Sequence, residues 1–257
     1  MTKVDASSAW LSGKPVLSVE HVGVTYRRRA LLGGARAFDA LKDISFDLYH
    51  GESLAVIGRN GAGKSTLLKV LSGIIEPDRG RIRSAGYSVA LLSRQVGFDP
   101  MLSGRDNATL SALLLGFRRR EINARMDAII AFAELEDFID EPLGTYSLGM
   151  RARLGFAVSL ELSPDILLID ETLGVGDAAF QAKSGEVIAR RLQSDKTVVL
   201  VSHNADAIKR LCNRAVWIEQ GRTVMEGGAA EVADAYEASA SRRAGSAWRH
   251  RIANADD

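Results

Sequence analysis

A glycine-rich octapeptide constrains this chain more than any other segment, because it joins a strand-like run to a helical one. Residues 58–65 read Gly-Arg-Asn-Gly-Ala-Gly-Lys-Ser and match the pattern G-x-x-x-x-G-K-[ST] without a mismatch. The run Ser53–Ile57 before it predicts a strand, and residues 65–71 predict a helix. Glycines let the backbone turn tightly with its N–H groups directed inward, and a helix N-terminus favours an anion. The segment therefore predicts a phosphate-binding loop.

The residue types in this loop indicate separate roles. Lys64 is expected to reach the β- and γ-phosphates of a nucleotide, and the Ser65 hydroxyl is expected to ligate Mg²⁺. The other expected nucleotide contacts come from Gly58, Asn60, Gly61, Gly63 and Thr66. The alternative is a glycine-rich turn before an ordinary helix, which the flanking strand and helix make the weaker interpretation.

Two acids and a histidine follow later apolar runs. Asp170 and Glu171 come directly after the buried run Ile166–Ile169. Asp170 is expected to hold Mg²⁺ and Glu171 to polarise the attacking water as a general base. Adjacent carboxylates repel each other, so burying both without a cation would be costly. His203, after another apolar run, is expected to hydrogen-bond the γ-phosphate; a surface or core histidine is the alternative.

Tyr26 lies upstream of the phosphate loop, near the end of a strand-like segment. Taken alone it is typical of a half-buried strand tyrosine. Its ring could instead stack on adenine, which contributes roughly 1–3 kcal/mol by analogy with base–aromatic stacking. Tyr26 is therefore a candidate ATP-binding residue.

Composition limits the class of protein. The 257 residues are 46% hydrophobic and 25% charged, which is ordinary for a globular chain with a real core. The formal net charge of +1 shows no bias toward nucleic acid, which is not expected as a partner. The single cysteine, Cys212, excludes an internal disulfide. No apolar run is long enough to span a bilayer, so work at a membrane would need a separate membrane partner.

The apolar periodicity predicts the order of elements. Short continuous apolar runs at Ile166–Ile169 and 198–201, separated by a helical stretch at Ala178–Leu192, are typical of a parallel sheet buried on both faces. A helical insertion is expected over about 96–162. The remaining expectations are a leader over 1–14, strands over 16–26 and 44–48, an exposed loop over 27–36, a strand from Arg81, a hairpin over 215–226, a final helix over 231–243 and a frayed end.

Taken together, these segments resemble the nucleotide-binding subunit of an ABC transporter, from about residue 16 to residue 236. The deciding segment is Tyr-Ser-Leu-Gly-Met-Arg at 146–151, which lies before a helix and shortly before Asp170. It occupies the place of the family's signature, usually Leu-Ser-Gly-Gly-Gln. Ser147 and Gly149 match it, whereas Leu148 and Met150 depart from it. The resemblance implies that Ser147 and Gly149 contact the γ-phosphate of ATP on the opposite subunit; capping of the helix by Ser147 is compatible with that role.

The departures resemble the branch of the family that exports polysaccharides such as O-antigen, capsule and teichoic acid. Residues 175–183 read Val-Gly-Asp-Ala-Ala-Phe-Gln-Ala-Lys, close to that branch's Val-Gly-Asp-x-x-Phe-Gln-x-Lys pattern. Residues 97–100 and 102–107 also resemble a segment of that branch. The resemblance implies that Asp177 bridges two subunits. Gln95 is the candidate for the loop that links the metal site to the helical subdomain. An ungapped alignment from Pro100 and Asn107 places Arg94 there instead, and Gln95 would then be an ordinary loop residue.

The resemblance implies an α/β fold: a P-loop NTPase, RecA-like core with an N-terminal antiparallel β region and an inserted α-helical subdomain. It implies an ABC ATPase domain over 15–240 and a tail over 241–257. It also implies an ATP-hydrolysing subunit that uses ATP and Mg²⁺, forms a head-to-tail homodimer and docks on an integral-membrane permease. Such a subunit would lie at the cytoplasmic face of the inner membrane and power polysaccharide export.

Two rival functions remain open on sequence grounds. An exporter of lipid, peptide or drug would share the same ATPase, and neighbouring genes would distinguish it. A soluble ABC ATPase of translation or DNA repair would carry two cassettes or a long coiled-coil insertion, and neither is visible in the sequence. A regulatory module without turnover is disfavoured by the intact Lys64, Asp170, Glu171 and His203.

Overall fold

Within the part of the chain that the structure describes, the fold is a nine-stranded mixed sheet with helices around it. A computed structural model describes residues 13–29, 35–84, 86–92, 97–162, 164–170 and 177–253. The strands are β1 (Leu17–Arg29), β2 (Ala35–Leu48), β3 (Ser53–Ile57), β4 (Arg79–Ser84), β5 (Val89–Leu92), β6 (Ile166–Ile169), β7 (Thr197–Ser202), β8 (Arg214–Glu219) and β9 (Arg222–Gly228). The helices are α1 (Lys64–Leu71), α2 (Gly104–Leu114), α3 (Arg119–Ala133), α4 (Leu148–Glu161), α5 (Ala178–Leu192), α6 (Ala205–Leu211) and α7 (Ala229–Ala253), and Leu143–Thr145 forms a short 3₁₀ turn.

A parallel core positions the phosphate loop. The strand order is β4-β1-β2-β9-β8-β3-β7-β6-β5, and the neighbours from β8 to β5 in this order run parallel. Every residue of β3, β6 and β7 is buried, as expected for strands covered on both faces. The carboxyl ends of these strands therefore lie at one edge of the sheet. This confirms the predicted α/β core.

The antiparallel β region is confirmed, but its ribbon is longer than the sequence predicted. β1 pairs with β2 and with β4, both antiparallel. Residues 27–29 lie in β1, opposite residues 35–37 of β2, so the prediction of an exposed loop over 27–36 was wrong for these arginines. The reason is that backbone pairing extends this ribbon beyond the core, where no alternating apolar pattern marks it.

The helical insertion forms its own small core. α2, α3 and α4 bury one shared cluster, which includes Ile122, Ile129 and Leu154. The predicted helices are therefore confirmed in this insertion. After α4, the chain returns to the parallel sheet at β6. This arrangement leaves the N-terminus of α4, with residues 147–149, at one end of the subdomain.

Three element predictions need correction. β5 was not predicted, because a four-residue edge strand carries little pattern. β4 begins at Arg79 rather than Arg81. The last helix runs from Ala229 to Ala253 rather than over 231–243, since its distal part is helical without a marked apolar stripe. Within the described part of the chain, no helix combines the length and apolar character needed to cross a bilayer.

Candidate functional site

The phosphate loop connects β3 to α1 and is shaped by two close backbone approaches. A Cβ at Gly58 would collide with the Ile218 carbonyl oxygen, and a Cβ at Gly63 would lie 2.5 Å from the Ala40 carbonyl oxygen. Gly63 also has φ 106°, in the left-handed region that favours glycine. These positions therefore require glycine for the path of the loop, before any ligand is considered.

The hairpin turn between β8 and β9 hydrogen-bonds to the phosphate loop, a contact that the sequence did not predict. Gly221 N donates to Ala62 O at 3.1 Å, and Gly221 O accepts from Lys42 N at 2.7 Å. One residue thus ties the phosphate loop to β2. The available sequence signal was the Gln220-Gly221 turn, and the φ of 76° at Gly221 shows that this turn needs glycine.

Lys64 lies inside the loop in this structure. Its Nζ donates to Gly58 O at 2.6 Å and to Arg59 O at 3.0 Å. Burial lowers the pKa of Lys64, and the nearby Asp170 carboxylate opposes that shift. The two carbonyls thus satisfy the hydrogen bonding of the partly buried ammonium group.

Ser65 and Asp170 come together as the sequence predicted for a metal pair. Ser65 Oγ donates to Asp170 Oδ2 at 3.4 Å across the gap between α1 and the end of β6. A hydroxyl and a carboxylate are oxygen ligands of the kind that Mg²⁺ takes in nucleotide sites. The donor set therefore fits Mg²⁺, held between the phosphate loop and β6.

His203 reaches the same edge of the sheet. β7 lies between β3 and β6, and its last residue, Ser202, pairs with Ile57 at the start of the phosphate loop. His203 follows at once and is exposed. It therefore lies at the sheet edge where the phosphate loop begins, and its expected contact with the γ-phosphate stays a prediction. Glu171 and Gln95 lie outside the described residues, so their assigned roles stay predictions.

Tyr26 belongs to a pair of exposed aromatic side chains that face the loop. It lies within β1 and is the cross-strand partner of Phe38 on β2. The two side chains are 41% and 62% exposed and line a cleft of about 270 Å³ together with Asn60 and Lys64. The same cleft is lined by Gly61, Gly63, Ser65 and Thr66. Sequence reasoning missed Phe38, because its place opposite Tyr26 depends on the strand register.

The segment at 146–150 begins α4. Ser147 is the N-cap, and its Oγ accepts from Met150 N at 3.1 Å. Tyr146 is buried and donates to Phe138 O at 2.5 Å, whereas Leu148 is 78% exposed. Among the described residues, a Cβ at Gly149 would meet Ser147 Oγ alone, at 3.7 Å, which is ordinary van der Waals contact.

Asp177 begins α5 in the same way. Its Oδ1 accepts from Phe180 N at 2.9 Å, so it caps the helix that follows the segment after β6. The residue is exposed, and its expected contact with a second subunit stays a prediction. Capping and an intersubunit contact are compatible, because a carboxylate has further acceptor positions.

Comparisons with known proteins agree with this geometry. The family model described as "ABC transporter" matches residues 41–174, just over half of the chain. The O-antigen export system ATP-binding protein RfbB of Klebsiella pneumoniae is 46% identical over 202 residues, covering 79% of this chain and 82% of that protein. The teichoic acids export ATP-binding protein TagH of Listeria monocytogenes serotype 4b is 43% identical over 202 residues, covering 79% and 60%.

A solved structure gives the same fold. The dimeric post-hydrolysis structure of the ATP-binding cassette MJ0796 bound to ADP and Pi superposes with a TM-score of 0.66 at 21% identity, covering 83% of this chain and 98% of that one. The fold, the family model and the aligned export proteins all lead to one assignment: this chain belongs to the ABC transporter family.

Proposed function

We propose that this chain is the ATP-hydrolysing subunit that powers export of a polysaccharide or lipid-linked glycan, of the O-antigen, capsule or teichoic acid type, across the cytoplasmic membrane. The single observation that carries the proposal is the similarity to the O-antigen export protein over most of both chains. The chemistry of the phosphate loop supports ATP as the energy source.

ATP binding uses groups from both sides of the cleft. The backbone N–H groups of the phosphate loop and the N-terminus of α1 hold the phosphates. Lys64 exchanges its carbonyl partners for the β- and γ-phosphates. Tyr26 and Phe38 offer aromatic faces to the adenine.

Hydrolysis needs a metal ion, a base and a γ-phosphate contact. Ser65 and Asp170 would hold Mg²⁺, which would neutralise charge on the phosphates. Glu171 polarises the attacking water as the general base, and His203 hydrogen-bonds the γ-phosphate. Loss of that phosphate removes the contacts that favour the closed state.

Two copies of the chain act together in this proposal. Ser147 and Gly149 contact the γ-phosphate on the opposite subunit, and Asp177 bridges the subunits. The dimeric form of a cassette of the same fold supports a head-to-tail homodimer. The dimer docks on an integral-membrane permease at the cytoplasmic face of the inner membrane, and the helical subdomain passes the motion on.

The Glu171→Gln variant tests the ATPase. We expect ATP to trap this variant as a dimer that hydrolyses ATP poorly, because binding is kept while the base is removed. Chromatography with and without ATP, together with phosphate release, measures both properties. Glu136→Gln, at an exposed glutamate after α3, is the matched control and should behave like the unmodified chain. Wild-type turnover by Glu171→Gln would show that the assigned base is wrong.

The substrate class is tested in cells. Depleting this protein should cause a glycan polymer or its lipid-linked form to accumulate inside the cell, while surface glycan decreases. Accumulation of a peptide or lipid without a glycan change would favour an exporter of another class. Co-purification without a membrane protein, with glycan export unchanged, would favour a soluble ABC ATPase.

A further inference from the structure

Three helices meet at one cluster of side chains that joins the helical subdomain to the parallel core. We call this cluster the hub. Its members come in pairs from α3 and its C-cap, from α4 and from α5: Phe132, Glu134, Arg153, Phe156, Phe180 and Lys183. The hub contains the phenylalanine and lysine of the Val-Gly-Asp-x-x-Phe-Gln-x-Lys segment, to which the ATPase mechanism above assigns no role.

The hub has an aromatic half. The rings of Phe132, Phe156 and Phe180 lie 5.7–5.8 Å apart between centroids. Phe132 and Phe156 are stacked at 13°, and Phe180 meets both edge-on at 76° and 80°. Such pairs favour fixed relative orientations of their rings. One ring comes from each helix, so rotation of one helix would disturb the packing of the other two.

The hub also has an ionic half, organised by Glu134. Its Oε1 accepts from Lys183 Nζ at 2.8 Å, and its Oε2 lies 3.2 Å from Arg153 Nη1. Lys183 also donates to Phe132 O at 3.1 Å, which satisfies a carbonyl at the end of α3. Glu134 is the C-cap of α3, in the left-handed region at φ 57°, and its carboxylate lies between the two cations. A single carboxylate thus connects α3, α4 and α5.

Two of the three helices in the hub, α4 and α5, begin next to residues that are proposed to contact a second subunit. α4 begins after its N-cap Ser147, six residues before Arg153. α5 begins after its N-cap Asp177, whose Oδ1 accepts from the backbone N of Phe180. Phe180 is therefore bound to Asp177 through its backbone and to the subdomain through its ring. Phe180 therefore connects Phe156 of α4 to Asp177.

We propose that the hub fixes the orientation of α4 relative to α5, and that Lys183 and Phe180 are positioning residues for ATP turnover. This inference rests on the proposed function, because it places Ser147 and Asp177 relative to each other for the closed dimer. Neither residue touches ATP in this scheme. Their effect arises because a close-packed cluster transmits small displacements rather than absorbing them.

The matched control is a second lysine with a similar environment elsewhere. Lys209 on α6 lies 2.6 Å from Asp234 and 2.9 Å from Glu237 on α7, so it also joins helices through carboxylates. Both carboxylates belong to α7, so within the described part of the chain these ion pairs involve neither the helical subdomain nor α5. Replacing each lysine by methionine removes the charge but keeps most of the side-chain length. Both variants lose ion pairs between helices, but only Lys183→Met loses one within the hub. Comparing them therefore separates the general cost of a lost ion pair from an effect on the orientation of α4 relative to α5.

Steady-state kinetics with ATP provide the first test. We expect Lys183→Met to lower kcat by about tenfold while KM for ATP stays within about twofold, because the phosphate loop is unchanged and only the geometry for turnover is disturbed. Lys183→Arg should recover most of kcat, since it keeps the positive charge. Lys209→Met should keep kcat while losing a similar amount of thermal stability.

Hydrogen–deuterium exchange provides a test that does not depend on turnover. We expect Lys183→Met to increase exchange at the first turns of both α4 and α5, and Lys209→Met to change neither. Unchanged exchange there, or equal kinetic effects of the two methionine variants, would overturn the role of the hub. If the unmodified chain does not hydrolyse ATP, the proposed function fails, and the exchange comparison still decides whether the hub joins α4 to α5.

Discussion

The Ser65 hydroxyl lies 3.4 Å from the Asp170 carboxylate, although 105 positions separate the two residues in the chain. The parallel sheet produces this proximity, since β3 and β6 end at the same edge with β7 between them. The pair places a carboxylate oxygen of Asp170 next to the hydroxyl at the end of the phosphate loop. Its function can be tested by changing one oxygen at a time.

Asp170→Asn should lower ATP hydrolysis by about 100-fold or more, because a neutral amide holds Mg²⁺ poorly. Nucleotide binding measured without Mg²⁺ should change little. Asp165→Asn is the control, since Asp165 lies at the other end of β6 and accepts from Ser88 N and Ser88 Oγ. Equal hydrolysis by Asp170→Asn and the unmodified chain would contradict the metal assignment.

Tyr26→Ala and Phe38→Ala should each raise the Kd for ATP by about tenfold, the lower part of the range for base–aromatic stacking. Tyr26→Phe keeps the ring and should bind like the unmodified chain. Titration with a fluorescent ATP analogue measures all three. If only Tyr26→Ala weakens binding, Phe38 does not contact the base, and its exposed ring needs another explanation.

Gly221→Ala should destabilise the fold by about 1–3 kcal/mol and weaken nucleotide binding. Gly221 has φ 76°, and an added Cβ would lie 2.9 Å from Ala40 O and 3.0 Å from Lys42 N. Denaturant unfolding and ATP titration measure the two effects. Gly228→Ala is the control in the same hairpin, since its added Cβ would meet nothing within 4 Å. A stable Gly221→Ala variant with weak ATP binding would still support the role of the turn, whereas normal binding would not.

Arg214→Met should destabilise the fold by about 3 kcal/mol near neutral pH, because it leaves a buried carboxylate without its cation. Arg214 Nη1 lies 2.6 Å from Glu52 Oε1, and Glu52 is 1% exposed. Burial raises the pKa of Glu52, while the Tyr49 backbone hydrogen bond and the Arg214 charge oppose the rise. Removing the arginine should therefore raise that pKa further.

The sign of the pH effect follows from this shift. An acid whose folded-state pKa is raised contributes stability below its unfolded value, near 4.5, and loses it as the pH rises through the folded-state pKa. Arg214→Met should therefore recover part of its lost stability as the pH falls toward 4.5, as urea unfolding at several pH values would show. Arg222→Met, which removes an exposed pair with Asp43, should show no such recovery. A pH-independent loss in Arg214→Met would contradict the role of Glu52.

The sequence predicted the parallel core and the phosphate loop because both rest on local patterns. Buried strands such as Ile166–Ile169 are continuous apolar runs, and the loop has a fixed spacing of glycine, lysine and serine. The helix Ala178–Leu192 was predicted with its observed bounds, and Asp177 is its N-cap. The hairpin around Gly221 was also predicted, but its contact with the loop was not.

By itself, the sequence determined the phosphate-loop pattern at residues 58–65 and the signature-like motif at 146–150, and with them the prediction that each contacts a nucleotide. Only the tertiary structure decided which distant groups complete these sites. Phe38 faces the cleft because of strand register, Gly221 supports Ala62 because two strands turn beneath the loop, and Glu134 joins three helices. The physical reason is that each of these contacts depends on how distant elements pack, whereas a motif records only neighbours along the chain.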